Sequence, residues 1–379
     1  MRLSQFCLAS SLAAVCAVAG WDTPVSNAQT ISGSDLLRSN TSQDPLFGQH
    51  AFRDRVVHDP ALGDRSISDL ILSGPVIDPT MDGIYPPTVY MPADSVASMM
   101  VSQAAGEVPI ERFRKSFYQG TEVLGGHLWD TGNDDVSGRM NQTFEEARIN
   151  FGFPIGVITG GSMDNIVGFR PYFRVDHLDG PTGIDVPGSV YDTGISILNQ
   201  KKWSEVFSTT VVVTPSVRSD FDTSDNGFRL FGLALMNWKP RPNLTLSAGV
   251  VYFARNDIGL LPAVGFVYLP TPWWKIDATM PRPRLARRLW KNGGHAEGWA
   301  FVGASIGGNT WAVKRSSGES DELTVRAYEL IGGYEVIGAG NRGFNIETVY
   351  TFGRRIEYER DDVRIDLSDG VGIRAAWQF

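Results

Sequence analysis

The sequence predicts an all-β chain: a transmembrane antiparallel up-and-down β-barrel of about 12–14 strands behind a largely irregular N-terminal extension. Three observations carry this reading. From residue 113 onward, runs of roughly ten residues alternate apolar and polar side chains. The stretches between them are rich in turn residues and alternate short and long. The last run ends the chain on Phe379. In an extended strand successive side chains point to opposite faces, so each run has one apolar and one polar side.

The N-terminus reads as an export signal over residues 1–28. Arg2 gives a positive start, residues 3–20 are apolar or small, and Ser26-Asn27-Ala28 offers small residues for cleavage. A retained membrane anchor, or a lipid anchor on Cys16, is the alternative. Cys7 and Cys16 both lie in this segment, so the mature chain has neither disulfides nor thiolate chemistry. A net charge of −8 argues against nucleic acid as a partner. Residues 29–112 are rich in Ser, Asp, Pro and Gly, with weak alternation. They are expected to form an irregular N-terminal extension or plug.

Residues 113–379 are expected to form the barrel. Strands are placed near 113–124, 147–153, 167–176, 188–200, 204–218, 228–239, 243–255, 260–269, 273–280, 284–290, 298–313, 322–337, 344–358 and 370–379. That makes fourteen, and an even number brings both ends of the barrel to one side. The run 284–290 reads equally as a continuation of its predecessor through Pro281-Arg282-Pro283. Stretches 239–242, 270–272 and 338–341 read as short turns; 129–141, 177–187, 219–227 and 359–369 read as longer, acidic loops.

The polar faces are expected to line a lumen. Glu146, Arg148, Arg170, Arg174, Asp176, Arg218, Glu347, Arg355, Glu357 and Arg374 fall on them. Lysine-rich faces would suit bulk water; a mixture of Arg, Glu, Asp and Asn suits a crowded interior where guanidinium forks hold carboxylates. Trp203, Trp238, Trp273, Trp274, Trp299, Trp311 and Trp377 fall at or near strand ends, either as a lipid–water girdle or as core.

In the last run Val371, Ile373, Ala375, Trp377 and Phe379 alternate with Gly372, Arg374, Ala376 and Gln378. This resembles the final strand of bacterial outer-membrane barrels. The resemblance implies that Trp377 and Phe379 serve as an assembly signal for the barrel-assembly machinery. Leu261-Pro262, residues 265–269, Pro272-Trp273 and residues 281–284 also resemble uncharacterised, porin-like outer-membrane barrel proteins of diderm bacteria. That likeness extends over about two thirds of the chain. It implies the fold, a location in the bacterial outer membrane and contact with its lipid, but no activity.

No chemistry emerges from the motifs. Five histidines include no pair at metal-ligand spacing. The stretch 222–227 starts like a calcium loop but has Leu233 where a bidentate Glu would be needed. Residues 130–135 form a looser acidic cluster, for which weak calcium binding is the alternative to a plain surface loop. No nucleophile elbow is present, and adjacent carboxylates such as Glu145-Glu146 point to opposite faces of a strand. The expectation is therefore no enzyme and no cofactor. The leading functional expectation is a passive conduit for small polar solutes of unknown identity. The alternatives are a closed structural or binding barrel with acidic external loops, and a soluble periplasmic β-protein that binds sugar.

Overall fold

A computed structural model describes residues 110–379 except 115, 133–137, 157–163, 182, 224, 254, 256–258 and 361–362. The expected signal peptide, 1–28, and all but the last three residues of the expected extension, 29–112, lie outside the described residues. The strands are β1 (Tyr118–Asp130), β2 (Asn141–Pro154), β3 (Asn165–Asp179), β4 (Ser189–Lys202), β5 (Phe207–Ser219), β6 (Phe228–Arg241), β7 (Leu244–Tyr252) and β8 (Leu260–Thr271). They continue with β9 (Trp274–Asp277), β10 (Arg284–Asn292), β11 (Ala296–Lys314), β12 (Ser320–Gly338), β13 (Arg342–Tyr358), β14 (Val363–Asp366) and β15 (Gly370–Gln378).

Each strand from β1 to β13 pairs antiparallel with the next, and β15 pairs with both β13 and β1, with Val123 opposite Trp377. The ring closes through fourteen strands; β14 is a side branch paired to β13 beyond the ring. Phe379 completes the seam: its N–H donates to the Thr121 carbonyl, and the Thr121 N–H donates back, both at 3.0 Å. Closure leaves no edge strand in the ring to template unwanted pairing. One end of the barrel holds the short turns and the start of β1 (the turn end); the other holds the longer loops (the loop end).

The strand expected over 113–124 is displaced: β1 begins at Tyr118 and runs to Asp130. The preceding residues hydrogen-bond across the turn end instead. The Gly340 N–H donates to the Glu111 carbonyl at 2.9 Å, and Arg114 Nε donates to the Gly340 carbonyl at 2.8 Å.

Polarity is inverted relative to a water-soluble globule. On β2, β3 and β15, charged and polar side chains such as Arg148, Arg174 and Arg374 are buried, while Ile149, Phe173 and Ile373 are exposed. The same exterior apolar face continues through Ile195, Val211, Met236, Val250, Val264, Val302, Leu330 and Ile346. Six exposed tryptophans, Trp203, Trp238, Trp273, Trp274, Trp290 and Trp377, sit at the turn end, and Trp129 is exposed at the loop end. Trp299 and Trp311 do not join them. They are buried, Trp299 because it shares its face with Glu297 and Phe301, and Trp311 because β5 crosses to β11 there.

On β6–β8 the inner face is apolar as well, with Phe231, Leu233, Leu235, Val251 and Ala263 buried in one cluster that includes Phe253. Both faces being apolar is why these runs alternate less cleanly in the sequence.

β13 carries a bulge. Gly353 has φ +59°, and the β12–β13 register shifts opposite it, between Arg326 and Tyr328. One extra residue reverses the facing of everything beyond it. The expectation that Arg355 and Glu357 line the lumen is therefore corrected: Arg354, Ile356 and Tyr358 are buried, and Arg355 and Glu357 take the outer face. There Arg355 pairs with Asp366 at 2.6 Å and Arg326 with Glu357 at 3.5 Å. This charged collar sits just beyond the exposed Tyr350 and Phe352 and bounds the apolar belt. From Ile346 to Phe352 the belt spans about 20 Å of strand at ~3.3 Å per residue.

Replacing Gly353 with Val should cost about 1–3 kcal/mol, because a β-branched residue is strained at this φ and its Cβ would press on Tyr328 at 3.2 Å. Gly332→Ala, whose Cβ meets only ordinary contact with Thr348, should be close to neutral. Urea midpoints of the detergent-solubilised protein, read by gel migration with and without heating, separate the two.

Candidate functional site: the barrel interior

The inward residues form a chain of ion pairs along the wall. Arg148 lies between Glu122, at 3.7 Å, and Glu146, which it also hydrogen-bonds. Arg174 holds Asp176 with two hydrogen bonds of 2.7 Å and reaches Glu146 at 3.6 Å. Its guanidinium also stacks 4.3 Å above the Phe144 ring. On β4, Asp192 accepts from Tyr172 at 2.8 Å and from Arg218 at 3.1 Å. On the other side of the seam Arg374 bridges Glu329 at 3.1 Å and Glu347 at 3.3 Å. Burying a charge costs several kcal/mol unless it is paired, so alternating cations and anions on neighbouring strands is what makes this inner face tolerable.

The structure thus turns Glu146, Arg148, Arg170, Arg174, Asp176, Arg218, Glu347 and Arg374 inward and buries each of them. Trp377 lies on the outer face, stacked on Phe344 at 5.8 Å, and Phe379 is exposed beside it at the seam. Sequence reasoning missed Arg354, which donates to the Met140 carbonyl at 2.9 Å and the Ser368 carbonyl at 3.1 Å. The Gly immediately before it was the available sign, since an isolated Gly in a strand often marks a bulge. Glu122, Asp192, Glu329 and Asn309 were also missed; they fall in runs whose alternation is blurred.

Several contacts cross the interior rather than follow the wall. Arg218 on β5 donates to Asn309 on β11 at 2.7 Å, although five strands separate the two around the ring. Arg229 on β6 donates to Glu322 on β12 at 2.7 Å. Arg255 donates to the Gly307 and Gly308 carbonyls at 3.1 Å each. At the loop end β5 touches β11 directly, with Ser219 opposite Ala312 and the Asp220 N–H donating to the Ala312 carbonyl at 3.1 Å.

The loop end is also capped. Leu128, Phe144, Leu178, Val190, Trp311, Leu323, Ile356 and Tyr358, from seven strands, belong to one buried apolar cluster. Ile184 and Val186 of the β3–β4 loop pack against it. Asp185 between them is latched to the β11–β12 loop: its carboxylate accepts from the Ser316 N–H at 2.6 Å and from Arg315 Nε at 3.2 Å. Arg315 lies 3.9 Å over the Tyr358 ring, and Tyr358 donates to the Asp185 carbonyl. The Ser316 N–H, and then the Arg315 guanidinium, hold the Asp185 carboxyl below its ordinary value. Among the described residues no group of His, Cys, Asp and Glu is placed to hold a metal ion.

Arg174→Met leaves two buried carboxylates short of a cation and should destabilise the barrel by about 3–5 kcal/mol. Arg355→Met, on the outer collar, should change stability by less than about 1 kcal/mol, as exposed pairs do. Urea unfolding of both variants provides the comparison.

No family model and no curated protein matches this chain. Solved structures that resemble it include a triple mutant of the Rhodopseudomonas blastica porin, at 10% identity and a TM-score of 0.24, covering 69% of this chain and 99% of that one. Another is Pseudomonas aeruginosa OccK5, at 9% identity and a TM-score of 0.25, covering 69% of this chain and 97% of that one.

Proposed function

We propose that this chain is a bacterial outer-membrane β-barrel, exported with removal of residues 1–28, that stands closed and serves as a structural or binding protein rather than as an open pore. Support for the membrane location comes from the closed ring, the apolar exterior with buried charges, six exposed tryptophans at the turn end with Trp129 at the loop end, and the charged collar at the loop end. In hydrocarbon only helices and closed barrels satisfy every backbone hydrogen bond. The terminal strand with Trp377 and Phe379 at the seam is the segment offered to the barrel-assembly machinery.

The observation that carries closure is the cap: the β3–β4 loop tucks Ile184 and Val186 against the apolar cluster at the loop end and is latched through Asp185. A solute entering from that end would have to displace both. The cross-interior bond from Arg218 to Asn309 lies behind the cap.

A conduit for small polar solutes is the second reading. The charged inner wall favours it, and it requires the β3–β4 loop to swing away. Planar-bilayer recording of the full-length protein separates the two. The closed reading expects no steady conductance, with current appearing when Ile184 and Val186 are both replaced by Ser and Asp185 by Ala. Steady channels in the unaltered protein would overturn it.

Acid should loosen the cap. A carboxyl whose folded pKa is depressed contributes its stabilisation above its unfolded value and loses it as pH falls through the folded one. The Asp185 latch is therefore intact at neutral pH and gives way only below the ordinary carboxylate value of 3.8. Protease nicking at residues 180–188 should stay low down to that pH and rise beneath it. Asp185→Asn should show the raised nicking already at pH 7.

A further inference from the structure

The wall of β2–β4 borders a cavity at the turn end. It has a volume of about 70 Å³ and a mainly apolar wall that includes Phe151, Ile166, Phe169 and Leu198; Asn150, Arg170, Ser196 and Gln200 supply its polar part, with Arg112 and Phe113 of the segment before β1 also bordering it. A single water needs roughly 10–15 Å³ by this measure, so the space accepts several waters or a group of a few heavy atoms. Arg112 and Arg170 are each only 5% exposed. Two guanidiniums lining one small, low-dielectric space favour a negative occupant.

Asn150 gives this electrostatic preference a direction. It is 8% exposed, and its Oδ1 accepts from Arg170 Nε at 2.7 Å. That bond fixes which way the amide faces. Its Nδ2 is left buried without a hydrogen-bond partner. A buried donor left unmade costs about 1–3 kcal/mol, and an oxyanion at this position would recover it.

We infer that this cavity is a binding site for a small oxyanion, the carboxylate or phosphate group of a solute, held by Arg170, Arg112 and the Asn150 amide. The β12–β13 turn contributes Asn341 to the same lining, so the site lies at the turn-end mouth, opposite the cap. It stands independently of whether the loop end opens, because a ligand arriving from the turn end meets it without passing the apolar cluster.

The test is calorimetric titration of the full-length, detergent-solubilised protein with inorganic phosphate and, separately, acetate, at constant ionic strength set with chloride. The site predicts saturable heat with at least one of these two anions; which of them binds reports whether the phosphate or the carboxylate geometry is preferred. Asn150→Asp keeps the acceptor for Arg170 but replaces the free donor with a carboxylate oxygen, and should weaken binding at least about tenfold, the scale of a hydrogen bond to a charged group. Asp185→Ala, at the far end, should bind as the unaltered protein does. If Asn150→Asp does not fold, Asn150→Leu, which only removes the amide, takes its place. Phosphate line broadening in ³¹P spectra of the unaltered protein needs no variant at all. Heats no larger than those of chloride for both anions, or Asn150 variants that bind undiminished, would overturn the inference.

Discussion

Ring closure is the constraint on which everything else in this barrel depends. A closed sheet leaves no edge with unpaired backbone groups, and here β15 meets β1 in a ladder that Phe379 extends to the last residue. Once the sheet is closed, each strand has one face outside and one face inside, and the two-residue repeat of the strand assigns every side chain to one or the other. The apolar exterior and the charged interior follow from that assignment.

The interior then poses its own problem. Buried guanidiniums and carboxylates are costly unless neighbours neutralise them. The wall solves this by placing opposite charges side by side, between adjacent strands for Glu122 and Arg148 and for Asp192 and Arg218, and two residues apart on β3 for Arg174 and Asp176. Where the wall turns apolar, on β6–β8, the inner cluster around Phe231 and Val251 replaces the ion pairs. At the loop end the two styles meet: an apolar cluster fills the opening, and a short polar latch around Asp185 holds its lid.

Much of this architecture was legible in the chain. All fourteen expected runs overlap strands, twelve of them closely, because alternation is a local property and each strand obeys it alone; 147–153 covers only the second half of β2. The first run was placed too early: Phe113 and Phe117 bracket polar residues and read as part of an extended run, whereas Glu111 and Arg114 hydrogen-bond to Gly340 in the β12–β13 turn. The Gly353 bulge was invisible to a strict two-residue count, and Arg355 and Glu357 were assigned to the wrong side for that reason. Trp299 and Trp311 sat near strand ends in the sequence, but facing and the crossing of β5 put both inside.

By itself the sequence determined that the chain folds as alternating antiparallel strands, about 12–14 of them, which end carries the short turns, and that arginines and acids would share one face; these depend only on period, turn chemistry and parity. Tertiary structure alone decided that β5 reaches β11, that Arg218 meets Asn309, that the β3–β4 loop folds inward, and that Asn150 and Arg170 share a cavity with Arg112. Those contacts join residues tens to more than a hundred positions apart. Strand tilt and ring closure set them, and neither leaves a trace in the spacing of neighbouring side chains.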